Sequence, residues 1–222
     1  MSGERLVEIL SLLPEATFET VYMTFASTAF ACVLGFPLGI YLYVASPAGL
    51  APGRVAYGVL SQIVNLFRSI PFIILMVLLV PLTRIIVGTS IGPTAAIVPL
   101  SVAAAPFVAR IAETAFGEVE PGVITAAKAM GSTNMQIVRK VLIPEAMPAL
   151  VSGLALTVIN LVAYSAMAGA IGGRGLGDLA IRFGFHRFQT DVTIAAVVVI
   201  LLLVQGVQLA GTLISRSLLS GR

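Results

Sequence analysis

Five runs of the chain carry no charged side chain: residues 20 to 53, 69 to 83, 85 to 109, 146 to 173 and 192 to 215. A charge near the centre of a bilayer costs about 2.5 to 3.5 kcal/mol on insertion scales, so charge-free runs mark where a chain can cross. Four of the five exceed the roughly 20 residues that a spanning helix needs. The run at 69 to 83 reaches that length only by extending back past Arg68. The guanidinium then sits in the first half of the helix, where it either snorkels to the interface or is buried against a partner. The pattern predicts an all-α integral membrane protein with about five transmembrane helices, at 20 to 44, 60 to 82, 85 to 107, 148 to 171 and 192 to 214. The whole chain, 1 to 222, then forms one membrane domain with its core at roughly 17 to 212.

Ahead of the first span, Leu6, Ile9, Leu10 and Leu13 recur at helical spacing and Pro14 ends the pattern, which reads as a short interfacial helix. Glu4, Glu8, Glu15 and Glu19 outnumber Arg5 there, so the segment lacks the basic start of a removable secretion signal and the first span is retained. An odd number of spans puts the termini on opposite sides. Placing the long connection at 110 to 147 in the cytoplasm leaves the N-terminus periplasmic and the C-terminus cytoplasmic. Arg54, Arg110, Lys128, Arg139, Lys140, Arg216 and Arg222 then lie inside, against Arg5, Arg84, Arg174, Arg182 and Arg187 outside, a weak positive-inside bias. Gly35 and Gly39 form a GxxxG pair, and Pro37, Pro71, Pro81, Pro99 and Pro106 fall in or beside spans. Such residues serve close helix packing, or broken helices around a moving cavity.

Composition narrows the function. Of 222 residues, 58% are hydrophobic and only 10% charged, against about 25% charged in soluble domains, so a soluble enzyme or regulator is excluded. The net charge is +3 and the longest basic cluster is Arg139-Lys140, too little to neutralise a run of phosphates, so no nucleic-acid partner is expected. Cys32 is the only cysteine and His186 the only histidine, which leaves no metal site; Cys32 reads as a small buried hydrophobe and His186 as a solvated residue of an outer loop at 172 to 191.

The connection at 110 to 147 carries the most information. Glu118 and Glu120 precede Pro121, a residue suited to a first helical turn, and the alanine-rich stretch that follows stops at Gly131. Thr133 and Gln136 have capping-box spacing, so a second helix starts at once and Pro144 closes it. Two short helices around a sharp glycine turn make a plug with small and apolar side chains, suited to a groove on another protein; the plainer reading is a loop resting on the membrane.

This stretch resembles the cytoplasmic loop motif of ABC importer permeases, in which Glu-Ala-Ala is followed after three residues by Gly and after nine more by Ile-x-Leu-Pro. Here it reads Thr125-Ala126-Ala127, Gly131, then Val141-Leu142-Ile143-Pro144. The spacing is kept; Thr125 replaces the glutamate, Val141 the isoleucine and Ile143 the leucine. The similarity extends through VNLFRSIPFIIL at 64 to 75, TRIIVGTSIG at 83 to 92, AAPFVAR at 104 to 110, AMGSTNMQIVRKVLIPEA at 129 to 146 and LVAYSAMAGAIG at 161 to 172, and is closest to permeases of bacterial methionine importers. The resemblance implies a bacterial inner-membrane permease that imports methionine by alternating access, its stereochemistry left open. It also implies a homodimer, two ATP-binding cassette subunits docked on the coupling-helix loop, and an extracytoplasmic methionine-binding protein. ATP and Mg would belong to the ATPase subunits. The sequence agrees independently, since neither Lys128 nor Lys140 follows a glycine as a phosphate-cradling loop requires. No catalytic residue and no cofactor are expected on this chain.

In the fourth span Gly153, Thr157, Asn160 and Tyr164 share one helix face. Polar groups at membrane depth must find protein or water, so the stripe is either interhelical glue or the lining of a substrate path. Under the second reading Asn160, Tyr164, Ser165 and Met167 are the candidates for substrate contact. Other classes fit less well. A permease for another amino acid is the nearest alternative. An ion-coupled carrier needs intramembrane carboxylates or histidines, which all five runs lack. An intramembrane hydrolase needs a metal motif or a base beside Ser101 or Ser165, and no histidine lies in a span.

Overall fold

The computed structural model describes residues 3 to 220, with side chains from Val7 onward, so expectations for Glu4, Arg5, Leu6 and Arg222 lie outside the described residues. Among these residues every regular element is helical. Four helices are long and apolar enough to cross a membrane, and a bent pair supplies a fifth span if its two parts count together.

The first helix, α1, runs unbroken over Gly3–Ala45. Pro14 therefore does not end a separate interfacial helix as expected. It removes one backbone donor, and the turns on either side carry the helix through, as membrane helices commonly allow. Gly35 and Gly39 let α1 lie directly against α5 (Pro93–Gly117): a Cβ on Gly39 would come within 2.6 Å of the Ala109 carbonyl oxygen and of the Ala112 Cβ. This close approach answers the question posed by the GxxxG pair in favour of packing. α5 is the central element, with 67% of its most apolar stretch buried, against 11% for the peripheral α10 (Thr190–Ser220).

The expected continuous helix over 60 to 82 does not form. Instead α2 (Arg54–Ser69) and α3 (Phe72–Leu78) meet at a 100° bend, and α4 (Val80–Val87) follows. The cause is Pro71, which excludes the preceding residue from helical geometry; Ile70 is extended at φ −77°, ψ 125°. The expected helix at 85 to 107 starts later, at Pro93, because Gly88, at φ 82°, closes the preceding helix and Gly92, at φ 103°, turns the chain into Pro93. It also ends later, at Gly117, so Arg110 belongs to α5 rather than to a loop. Its guanidinium pairs with Glu113 and donates to Ser61 Oγ at 2.6 Å, the Ser61 carbonyl at 3.1 Å and Asn65 Oδ1 at 2.9 Å. With Tyr57 donating to Glu113 at 3.0 Å, this cluster pins α2 to α5.

Past α5 come α6 (Pro121–Ala129), a turn, and α7 (Asn134–Ile137), which continues through one wide π-type turn, Val138–Leu142, into α8 (Ile143–Ala168). Pro144 does not close the second short helix as expected. A proline within a helix lacks its own donor and crowds the carbonyl four residues back, and the wider turn immediately before it accommodates both effects. The second short helix is thus the leading end of the fourth long helix.

The connection at 172 to 191, expected to lie outside, is packed rather than loose. After a kink at Ile171 and Gly172 the chain forms α9 (Gly175–Leu179) and a further π-type stretch, Ala180–Phe185. Leu176 and Leu179 are buried against Ile9, Ala16 and Val192.

Candidate functional site

Two regions concentrate the candidate residues: the knuckle between α5 and α8, and a cavity at the α2–α3 bend.

The knuckle owes its shape to local chemistry. Pro121 opens α6 in the first turn, where its missing donor costs nothing. Gly131, at φ 80°, closes it with the two bonds of a Schellman cap, Ser132 N–H to the Ala127 carbonyl at 3.1 Å and Gly131 N–H to the Lys128 carbonyl at 3.0 Å. Both halves of the capping box at Thr133 form: its N–H donates to Gln136 Oε1 at 2.8 Å, and Gln136 N–H donates to Thr133 Oγ1 at 3.3 Å. Ala127, Ile137, Val138 and Leu142 are buried in one cluster with Phe116 of α5 and Tyr43 of α1.

The seven loop residues of the importer motif divide into two groups. Ala127 is buried, while Val141 and Ile143 pack partly buried against the same cluster, so these three fasten the knuckle to the helix bundle. Thr125, Ala126, Gly131 and Pro144 are exposed. Thr125, at the position of the family glutamate, donates back to the Pro121 carbonyl at 2.9 Å and is occupied within its own helix. The sequence reading missed Met130 and Met135, which flank the glycine turn and are 80% and 61% exposed. With Val123 they give the tip a flexible apolar surface, a type of surface suited to protein contact. Two methionines beside a polar turn, off any buried periodicity, were the available signal.

The cavity, of about 200 Å³, lies between the α2–α3 bend and the middles of α5 and α8. Phe72 and Tyr164 stack across it, with ring centroids 4.7 Å apart and planes inclined by only 5°. Arg68 stands at the last turn of α2 with its guanidinium 5.9 Å from the Phe107 ring centroid. Its side chain is exposed and pairs with no carboxylate among the described residues. Thr157, Asn160 and Tyr164 of the predicted stripe face the cavity, whereas Gly153 packs against Ile111 of α5. The four pathway candidates therefore separate. Asn160 and Tyr164 line the cavity. Ser165 is buried and donates to the Val162 carbonyl at 2.7 Å, and Met167 is 48% exposed away from it.

Residues 35–219 match the family described as the inner membrane component of binding-protein-dependent transport systems. The chain belongs to that family. It is therefore a membrane component of a transport system and not itself an enzyme. It is 47% identical over 205 residues, 92% of its length and 91% of the relative's, to the probable D-methionine transport system permease protein MetI of Vibrio cholerae. It is 56% identical over 158 residues, 71% of its length and 73% of the relative's, to the D-methionine transport system permease protein MetI of Escherichia coli K12. A chain in the solved inward-facing MetNI methionine ABC transporter superposes with a TM-score of 0.93 at 48% identity, covering 98% of this chain and 99% of that one. An amino acid ABC transporter solved with histidines matches with a TM-score of 0.79 at 20% identity, a likeness of fold. This permease is a multi-pass inner-membrane component of a methionine-type ABC importer.

Proposed function

We propose that this permease carries methionine inward, in one or both stereoisomeric forms, by alternating access driven from a separate ATPase. Near-full-length likeness to a chain of the MetNI transporter is the observation that supports this reading most. In it, two copies of the chain form the pathway as single membrane domains, with the N-terminus periplasmic and the C-terminus cytoplasmic. An ATP-binding cassette subunit, carrying ATP and Mg, receives the exposed tip of each knuckle through Val123, Ala126, Met130 and Met135. Ala127, Val141 and Ile143 transmit its displacement to α1 and α5. Because α7 runs on into α8, a tilt of the knuckle turns the helix that presents Asn160 and Tyr164. Closure of the motor subunits thus biases a two-state bundle by differential contact at one end. An extracytoplasmic methionine-binding protein delivers substrate at the other end.

The direct test is reconstitution. Liposomes holding this chain alone are expected not to concentrate labelled D- or L-methionine, whereas adding the ATPase and the binding protein produces ATP-dependent accumulation. Concentrative uptake by the lone chain would remove the reading.

A further inference from the structure

Two arginines stand where α2 meets α5, and their surroundings differ sharply. Arg110 has carboxylate, carbonyl, hydroxyl and amide oxygens around its guanidinium. Arg68 has no ion pair and no hydrogen bond among the described residues; its one specific contact is the Phe107 ring. The ring face engages the charge but none of the guanidinium N–H donors, which stay free for an anion. The side chain is exposed rather than sealed inside the bundle. Arg68 also shares its cavity with Ala103, Ala104 and Asn160, near the middles of α5 and α8 rather than at their ends. Asn160 is likewise without a hydrogen bond among the described residues.

From this geometry we infer that Arg68 is the carboxylate-binding residue of a single-amino-acid site at the α2–α3 bend. The guanidinium receives the α-carboxylate, Asn160 offers its amide oxygen to the ammonium, and the Phe72–Tyr164 stack with Phe107 walls the apolar side chain. Small side chains at Ala103 and Ala104 leave the room. An ion pair formed with cargo, rather than with a fixed acid of the protein, exists only while cargo is present, which is what a translocation site requires. The inference rests on the import reading for its ligand class, amino acids with apolar side chains.

The test uses the assembled complex with Cys32→Ser and Phe67→Cys, so that one thiol in the cavity lining reports occupancy. Alkylation is followed in phosphatidylcholine nanodiscs with millimolar L-methionine, L-leucine or L-methionine amide. With Arg68 present, the free amino acid slows alkylation and the amide does not. Arg68→Ala abolishes the protection. In a companion complex that keeps Phe67, Arg68→Ala lowers uptake at least about tenfold, as expected for one lost hydrogen bond to a charged group, while Arg68→Lys restores part of it. Protection by leucine but not methionine would leave Arg68 in its role and remove methionine as cargo. Absence of protection by any free amino acid, equal protection in Arg68→Ala, or slowing by phosphatidylglycerol alone would overturn the site.

Discussion

The knuckle and the return between α8 and α10 both turn on glycines, yet they are held by opposite kinds of contact. In the knuckle the shape-setting bonds span three to five residues, as between Thr133 and Gln136 or Ser132 and Ala127. In the return they join residues 155 or 156 positions apart. Glu19 of α1 accepts from Gly175 N–H at 2.9 Å and pairs with Arg174 at 3.3 Å, and Thr20 Oγ1 accepts from Leu176 N–H at 2.9 Å. Arg174 meanwhile sits at φ 62°, a left-handed geometry that costs about 1 to 3 kcal/mol and persists only because its surroundings hold it. A locally determined knuckle can move as one piece with α8. The return keeps its shape only while α1, α8 and α10 stay in register, so the two ends of the permease respond differently to the same strain.

Breaking the return has the larger expected effect. A Cβ on Gly177 would run into the Ala166 backbone, and one on Gly169 into the amide of Asp178, so α8 and α9 touch main chain to main chain. Gly177→Val should cost about 3 kcal/mol or more, because neither backbone can yield, and should appear as a sharply lowered melting temperature of the detergent-purified chain. Breaking the knuckle is milder. A Cβ at Gly131 meets nothing within 4 Å, so Gly131→Val is opposed only by left-handed backbone geometry, about 1 to 2 kcal/mol. The chain should still assemble, with fewer methionine molecules carried per ATP hydrolysed. A stable, fully coupled Gly131→Val complex would erase the distinction between the two regions.

The same contrast explains what the sequence disclosed. Pro121, Gly131, Thr133 and Gln136 act on neighbours, so the knuckle was readable from residue types and spacing. Pro144 reads as a helix end by residue type alone, but its outcome depends on the wide turn at 138 to 142 and on burial of Val138 and Leu142 against Phe116. The break at Pro71 was signalled by the proline itself, but continuous hydrophobicity on both sides favoured an unbroken span. Nothing near Gly175 announces that Glu19 will bind it. Helical periodicity puts Asn160 and Tyr164 on one face but does not say what lies opposite; Arg68 stands out in the sequence as a charge beside a span, and its meeting with Phe107 and that face appears only in the folded chain.

The central claim is that the tip of the knuckle is where the motor holds this permease. A single cysteine in place of exposed Met130, in the Cys32→Ser chain, crosslinked within the assembled complex, tests it most directly. The account predicts a product with the ATPase subunit whose yield changes between nucleotide-free and ATP-bound states; a product with the extracytoplasmic binding protein, or with lipid alone, would contradict it.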